Sequence, residues 1–82
     1  MKLRYFASVR ERVGTPEEEV VLPPGIGTVR DLTAWLAGRG EHYAETFTDT
    51  AVRCAVDRVH ARPDASIQDA EEVAFFPPMT GG

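Results

Sequence analysis

Two prolines, Pro77 and Pro78, and two glycines, Gly81 and Gly82, punctuate the string FFPPMTGG at residues 75–82. That pattern suits acyl chemistry. Glycine has no Cβ, so a Gly-Gly segment threads a channel too narrow for other side chains and adopts dihedrals closed to them. It also leaves the terminal carbonyl carbon of Gly82 open to attack. A free carboxylate is a poor acyl electrophile because oxide is a poor leaving group, so a second enzyme must activate it, and transfer to AMP from ATP is the usual route. The activated carbonyl could then take up sulfur as a thiocarboxylate or acylate an amine. Such a chain is a group carrier, with orientation supplied by the protein around it. The prolines fix φ and lack N–H groups, so they end a strand and project Met79, Thr80 and the glycines away from the body. From Pro77 to Gly82 the chain spans at most roughly 20 Å, enough to enter a deep site on another protein. A frayed end with no task is the plain alternative.

Ordering such a tail costs on the order of 6 to 12 kcal/mol of backbone entropy. One buried phenylalanine returns only ~1.5 to 3 kcal/mol. A partner must therefore cover a wider surface, of the order of ~800 Å² per side. Phe76, at the root of the tail, and Phe6, Arg10 and His60 are the candidates to form it. The rest of the chain offers little chemistry. Cys54 alternates with Val52 and Val56 and reads as a core cysteine. His42 and His60 lack a carboxylate, Cys or Ser constellation, and no metal motif, phosphate loop or catalytic triad is present. No bound cofactor is expected, and ATP is expected only as a substrate of the activating enzyme.

Composition sets the bounds. At 82 residues, with 43% apolar and 27% charged residues, the chain has the make-up of one small globular domain. A net charge of −4 and the lack of a Lys/Arg block argue against nucleic acid. No apolar run approaches the ~20 residues of a membrane span, and the charges at Lys2, Arg4 and Arg10 interrupt any signal-peptide core. A cytoplasmic location is the expectation. The basic residues are one lysine, Lys2, and eight arginines. Scarce amines would suit a chain whose own end becomes an acyl donor, and genomic base composition would give the same bias.

The elements follow from periodicity. KLRYFAS alternates, placing Leu3, Tyr5 and Ala7 on one face and Lys2, Arg4 and Phe6 on the other, which predicts a strand. VRERVG reads as a short charged segment, TPEE as a turn, and EVVLPPG as a second strand. Thr28 with Asp31 forms an approximate capping box ahead of a helix with Val29, Leu32 and Leu36 on its apolar face, and Gly38 and Gly40 suit a left-handed stop. A second helical turn pairs Tyr43 with Phe47. AVRCAVD and EVAFF predict two more strands, RVHARPDAS between them reads as irregular, and Ile67 as an isolated core plug. Phe75 is placed inward and Phe76 outward. The order strand, strand, helix, strand, strand predicts an α+β fold, one main helix packed on one face of a small mixed sheet. Residues 1–76 form the domain and residues 77–82 the tail. Phe6 and Phe76 would then mark a partner surface on the uncovered sheet face.

YFASVRERVG, TVRDLTAWLAGRG and RCAVD…DAEEVAFFPPMTGG together resemble the small subunit of molybdopterin synthase, a family of sulfur carriers, over essentially the whole chain. The resemblance implies a ubiquitin-like β-grasp fold. It implies that Gly82 is adenylated by an adenylyltransferase resembling ubiquitin-activating enzymes, converted to a thiocarboxylate, and inserted into the synthase large subunit. There it would deliver sulfur to cyclic pyranopterin monophosphate, in an assembly of two small and two large subunits. Gly81 and Gly82 match the functional tail, Phe6 and Phe76 match interface positions, and Arg10 matches the Arg of the YFA-x-x-RE stretch. His60 stands where an aliphatic residue is frequent, Asp57 replaces a frequent Asn, and Ala70 replaces a turn glycine. The same tail would serve other carriers of this fold, in thiazole, cysteine or thiolated-nucleoside synthesis or in protein conjugation.

Overall fold

The computed structural model describes residues 1–78. Its elements are β1 (Lys2–Tyr5), α1 (Ala7–Val13), β2 (Glu17–Glu19), α2 (Val29–Ala37), α3 (Glu41–Phe47), β3 (Arg53–Val56), β4 (Val59–Ala61) and β5 (Glu72–Phe76). The five strands form one sheet in the order β2-β1-β5-β3-β4. β1 runs parallel to β5, with Tyr5 beside Phe75, and the other neighbours are antiparallel. The fold is α+β with a mixed sheet, as the sequence predicts.

One face of the sheet is the core. Leu3 and Tyr5 from β1, Val73 and Phe75 from β5 and Cys54 from β3 pack against Val29, Leu32 and Leu36 of α2, with Val9, Phe47 and Ile67 closing the sides. The aromatic centre is Phe75, edge-on to Phe47 at 4.9 Å and stacked on Tyr5 at 6.1 Å. Full burial of side chains this large stabilises the fold by about 1.5 to 3 kcal/mol each. The capping box on α2 is present: Thr28 Oγ1 accepts from the Asp31 N–H, and Asp31 Oδ2 accepts from the Thr28 N–H. Tyr43 stacks on Phe47 within α3.

Several expectations are corrected. VRERVG is helical, part of α1, because Val9 anchors one apolar contact at 1% exposure and Gly14, at φ 94, closes the helix in the left-handed region. β1 ends at Tyr5, so Ala7 does not continue its inward face; it is exposed and opens α1 at φ 51. β2 comprises Glu17–Glu19 rather than the apolar residues that follow. In the antiparallel register Lys2 faces Glu19, so later residues run past the start of β1 and only Val20 still bonds Met1. RVHARPDAS contains β4, a hairpin partner of β3 too short to show alternation. Gly38 has φ −82, so it does not make the left-handed stop. Gly40, at φ 141, instead precedes α3.

Candidate functional site

The face of the sheet opposite α2 is built by the residues that alternate with the core. On β5 these are Glu72, Ala74 and Phe76; on β1, Lys2 and Arg4; on β3, Arg53 and Ala55; on β4, His60. Ladder pairing places Arg4, Ala74 and Ala55 in one row, with His60 beyond Ala55. The row above it sets Arg53 against Phe76. The two alanines make a shallow floor, and Ala74 is covered to 8% exposure by the larger groups around it.

Phe6 reaches this face by a different route from the one its alternation predicts. It is the N-cap residue of α1, still extended at φ −122 and ψ 150, and its N–H donates to the Phe75 carbonyl at 3.0 Å. That bond holds it beside the end of β5. The positive φ of Ala7 then turns the chain into α1, leaving the Phe6 ring 40% exposed with the Arg4 guanidinium 5.1 Å from its centroid. His60 lies against Phe76 at 5.7 Å between centroids. Arg10 is exposed one helical turn beyond Phe6, whose carbonyl accepts from the Arg10 N–H at 3.3 Å. Phe76 is half-buried and faces outward while Phe75 is 1% exposed, so the inward and outward choice between the two holds. Pro77 and Pro78 follow directly, the second exposed. Met79, Thr80, Gly81 and Gly82 lie outside the described residues.

The structure thus gathers Phe6, Phe76 and His60 around the point where the tail leaves β5. Arg4 and the Ala55–Ala74 floor belong to the same patch. Sequence reasoning did not single them out, although their alternation with Tyr5, Cys54 and Val73 carried the signal. Arg4 is 3.8 Å from Glu72 on this face, while the Arg53 guanidinium donates to the carbonyls of Thr50 and Ala51 in the loop before β3. The face is apolar at its centre, with Arg4 and Glu72 side by side near its edge.

Behind the sheet, a recess of about 340 Å³ is lined by Val29, Phe47, Val52, Cys54 and Phe75 among others. Its thiol is not poised for chemistry: Cys54 is 5% exposed, burial pushes its pKa up, and Sγ points at the Ala61 carbonyl at 3.7 Å. Among the described residues no cluster of His, Cys, Asp or Glu could hold a metal ion, and no helix is long and apolar enough to cross a membrane. What the described body offers is an exposed aromatic patch of Phe6, Phe76 and His60 beside the end of β5.

Residues 3–82 match the ThiS family. The chain belongs to that family. It is 38% identical to a molybdopterin synthase sulfur carrier subunit of Escherichia coli, covering 100% of this chain and 99% of that one. The corresponding subunit of Haemophilus influenzae is 26% identical over the same spans. Among solved structures, subunit 1 of a molybdopterin converting factor from Pyrococcus furiosus superposes with a TM-score of 0.75 at 34% identity, covering 95% of each chain. SAMP1 from Haloferax volcanii gives a TM-score of 0.75 at 25% identity, covering 100% of this chain and 98% of that one. This ThiS-family chain has the ubiquitin-like β-grasp fold, and the resemblance carried by YFASVRERVG and EVAFFPPMTGG is to the sulfur carriers of molybdopterin synthase.

Proposed function

We propose that the chain is the sulfur carrier subunit of a molybdopterin synthase and works in the cytoplasm. Gly82 is adenylated by an adenylyltransferase of the ubiquitin-activating type: a carboxylate oxygen attacks the α-phosphorus of ATP and pyrophosphate leaves. Sulfur from a donor then displaces AMP, giving a thiocarboxylate. The tail enters the synthase large subunit and passes its sulfur to cyclic pyranopterin monophosphate.

The single observation behind this reading is geometric. Phe6 and Phe76 share one exposed face, at the point where FFPPMTGG leaves the sheet. A partner that covers Phe6, the Ala55–Ala74 floor, His60 and Phe76 receives the tail in the same event, with Pro77 and Pro78 limiting how much chain remains to be ordered. Full-length likeness to carrier subunits of that synthase supports a large-subunit partner.

The test has two steps. Incubation with the activating enzyme, ATP and a sulfur donor is followed by intact mass, which reads replacement of one terminal oxygen by sulfur. The thiocarboxylate form is then combined with a molybdopterin synthase large subunit and the pyranopterin substrate. Conversion of the pyranopterin supports the proposal. A thiocarboxylate that forms but serves only another sulfur acceptor assigns the chain to a different carrier of the same fold.

A further inference from the structure

Among the described residues, three other than glycine have positive φ: Ala7, Asp57 and Arg58. The last two form the short turn that joins β3 to β4, where strand twist favours that geometry. Ala7, at φ 51, serves no hairpin. β1 has already ended there, and a residue with a Cβ stands where glycine would meet no strain. Such strain persists only where the surroundings over-determine the conformation. Here they do. Just before Ala7, the Phe6 N–H donates to the Phe75 carbonyl at 3.0 Å, and the Phe6 carbonyl accepts from the N–H groups of Val9 at 3.1 Å and Arg10 at 3.3 Å. Val9 seats the middle of α1 in the core. Arg12 fixes its last turn: Nη1 donates to Asp49 Oδ2 at 3.0 Å and Nη2 to the Glu45 carbonyl at 2.8 Å. Glu45 belongs to α3, which is itself anchored in the core through Phe47.

At seven residues α1 is too short to hold its shape alone, so these contacts decide where its first turn lies. What that turn carries is the exposed ring of Phe6. The left-handed well is narrow for a residue with a Cβ and wide for glycine, so alanine confines the peptide after Phe6 more closely than glycine would. We infer that α1 is a mount for Phe6: Ala7 sets the direction in which the ring leaves the backbone, and Arg12 keeps the mount from rocking on Val9. Ala7 and Arg12 are thus positioning residues, which act on a partner through Phe6. The inference rests on the proposed docking role of Phe6 and adds that the ring is fixed before the partner arrives, so that less of its freedom is lost on binding.

The free full-length chain is tested first, by NMR couplings from phenylalanine Cγ to the backbone nitrogen and carbonyl carbon, which report χ1. Wild type is expected to hold Phe6 in one rotamer. Ala7→Gly, which leaves the turn accessible, and Arg12→Ala are each expected to average the Phe6 couplings while those of buried Phe47 and Phe75 stay as in wild type. Should Arg12→Ala disturb the core as well, Ala7→Gly alone decides. Affinity for a molybdopterin synthase large subunit is then titrated. Each variant is expected to bind about three- to tenfold more weakly, the cost of ordering one side chain. When Phe6 is already alanine, the same substitutions should change affinity by under about twofold, as for residues that act through a shared group. The inference is overturned if Phe6 keeps one rotamer in the variants, if their affinity equals that of wild type, or if their losses are undiminished in the Phe6→Ala background. Failure of wild type itself to bind that subunit overturns the proposed docking role instead, and the couplings in the free chain still decide whether Ala7 and Arg12 hold Phe6.

Discussion

The Tyr5 hydroxyl donates to Glu18 Oε2 at 2.8 Å across the β1–β2 pair. Tyr43 donates to the same oxygen at 2.8 Å, and Arg39 meets the other carboxylate oxygen at 3.0 Å while lying over the rings of Trp35 and Tyr43. Glu18 is the inward residue of the EEE strand, and its carboxylate ties the edge of the sheet to α3 and the end of α2. Tyr5 is 1% exposed, so its hydroxyl has no water to fall back on. Glu18→Ala is expected to cost about 2 to 4 kcal/mol, the loss of charge-assisted hydrogen bonds plus an unsatisfied buried phenol. For a domain of this size the melting temperature should fall by at least about 10 °C. Thermal unfolding followed by circular dichroism measures it, and a drop of under about 3 °C would show the cluster to be ornamental.

The same carboxylate sets a pH dependence. Burial alone would raise the Glu18 pKa, but hydrogen bonds from Tyr43, Tyr5 and Arg39 outweigh it and hold the group below its ordinary value. A carboxylate whose pKa is lower folded than unfolded contributes stability that is fully present above the unfolded value, about 4.3 for glutamate, and is lost as pH falls through the folded one. Asp31, held down first by the Gly27 N–H, and Asp49, held down first by the Ala51 N–H, act in the same direction. Wild type should therefore lose stability progressively below about pH 4. In Glu18→Gln the loss should be shallower, since one of the three contributions is gone. Denaturant midpoints at pH 6 and pH 3 compare them, and parallel decreases would exclude Glu18 as a contributor.

The β3–β4 turn carries backbone strain in two consecutive residues, Asp57 at φ 47 and Arg58 at φ 70. Positive φ at both central positions is the hairpin geometry that favours glycine at the second. Arg58→Gly should stabilise the chain by about 1 kcal/mol, since the left-handed conformation costs roughly that for a side chain with a Cβ. Asp57 has a reason to stay. Its Oδ1 accepts from the N–H groups of both Glu71 and Glu72 and fixes the entry into β5. Asp57→Ala should destabilise by about 1 to 3 kcal/mol, and Asp57→Asn, which keeps an acceptor, by less. Equal effects of the two substitutions on the urea midpoint would remove the side chain from this role.

How much of this was legible in the sequence depended on element length. α2 announced itself through Thr28, Asp31 and the spacing of Val29, Leu32 and Leu36, because a capped three-turn helix writes its period into the chain. β5 did so through EVAFF, whose outward Phe76 was read correctly. β4 and α1 were missed for a physical reason: Val59, His60 and Ala61 are held by pairing with β3, and α1 by the single buried contact of Val9, so tertiary context rather than local pattern makes both. Phe6 was placed on the right face by the wrong construction, as the end of a strand rather than the cap of α1. The Glu18 cluster was invisible because EEE reads as three solvated charges until pairing with β1 turns the middle one inward. The patch beside the end of β5 was half legible, since aromatics stand out in a sequence and the Ala55 and Ala74 floor between them does not.

Phe6 and Phe76 should separate folding from docking. Phe6 is 40% exposed and Phe76 half-buried on the face opposite the core, so truncation of either leaves the interior packing intact. Phe6→Ala and Phe76→Ala should each cost under about 1.5 kcal/mol of stability, well below the 3 to 5 kcal/mol of a core phenylalanine such as Phe75. Binding to the proposed large subunit should weaken by about tenfold or more for each, as for aromatic anchors at the centre of an interface. Calorimetric titration of the variants against that subunit is the measurement. Unchanged affinity in both would place the docking surface elsewhere.

Removal of Gly82 isolates the chemistry from everything else. The shortened chain is expected to match the full one in melting temperature and in affinity for the proposed large subunit within about threefold, because Phe6, Phe76 and the rest of the proposed docking face are unchanged. Under the proposed function activation should nevertheless fail, because the new terminal carbonyl belongs to Gly81 and would stop one residue, roughly 3.5 Å, short of where the proposed activating site would hold it. A displacement of that size is ruinous for a reaction that depends on alignment of the attacking carboxylate with a phosphorus atom. The expected result is a chain that folds and docks yet acquires no sulfur, by intact mass after incubation with activating enzyme, ATP and sulfur donor. A shortened chain that still gains sulfur and still converts pyranopterin would mean that the acyl group of Gly82 is not the cargo site, whatever the docking face does.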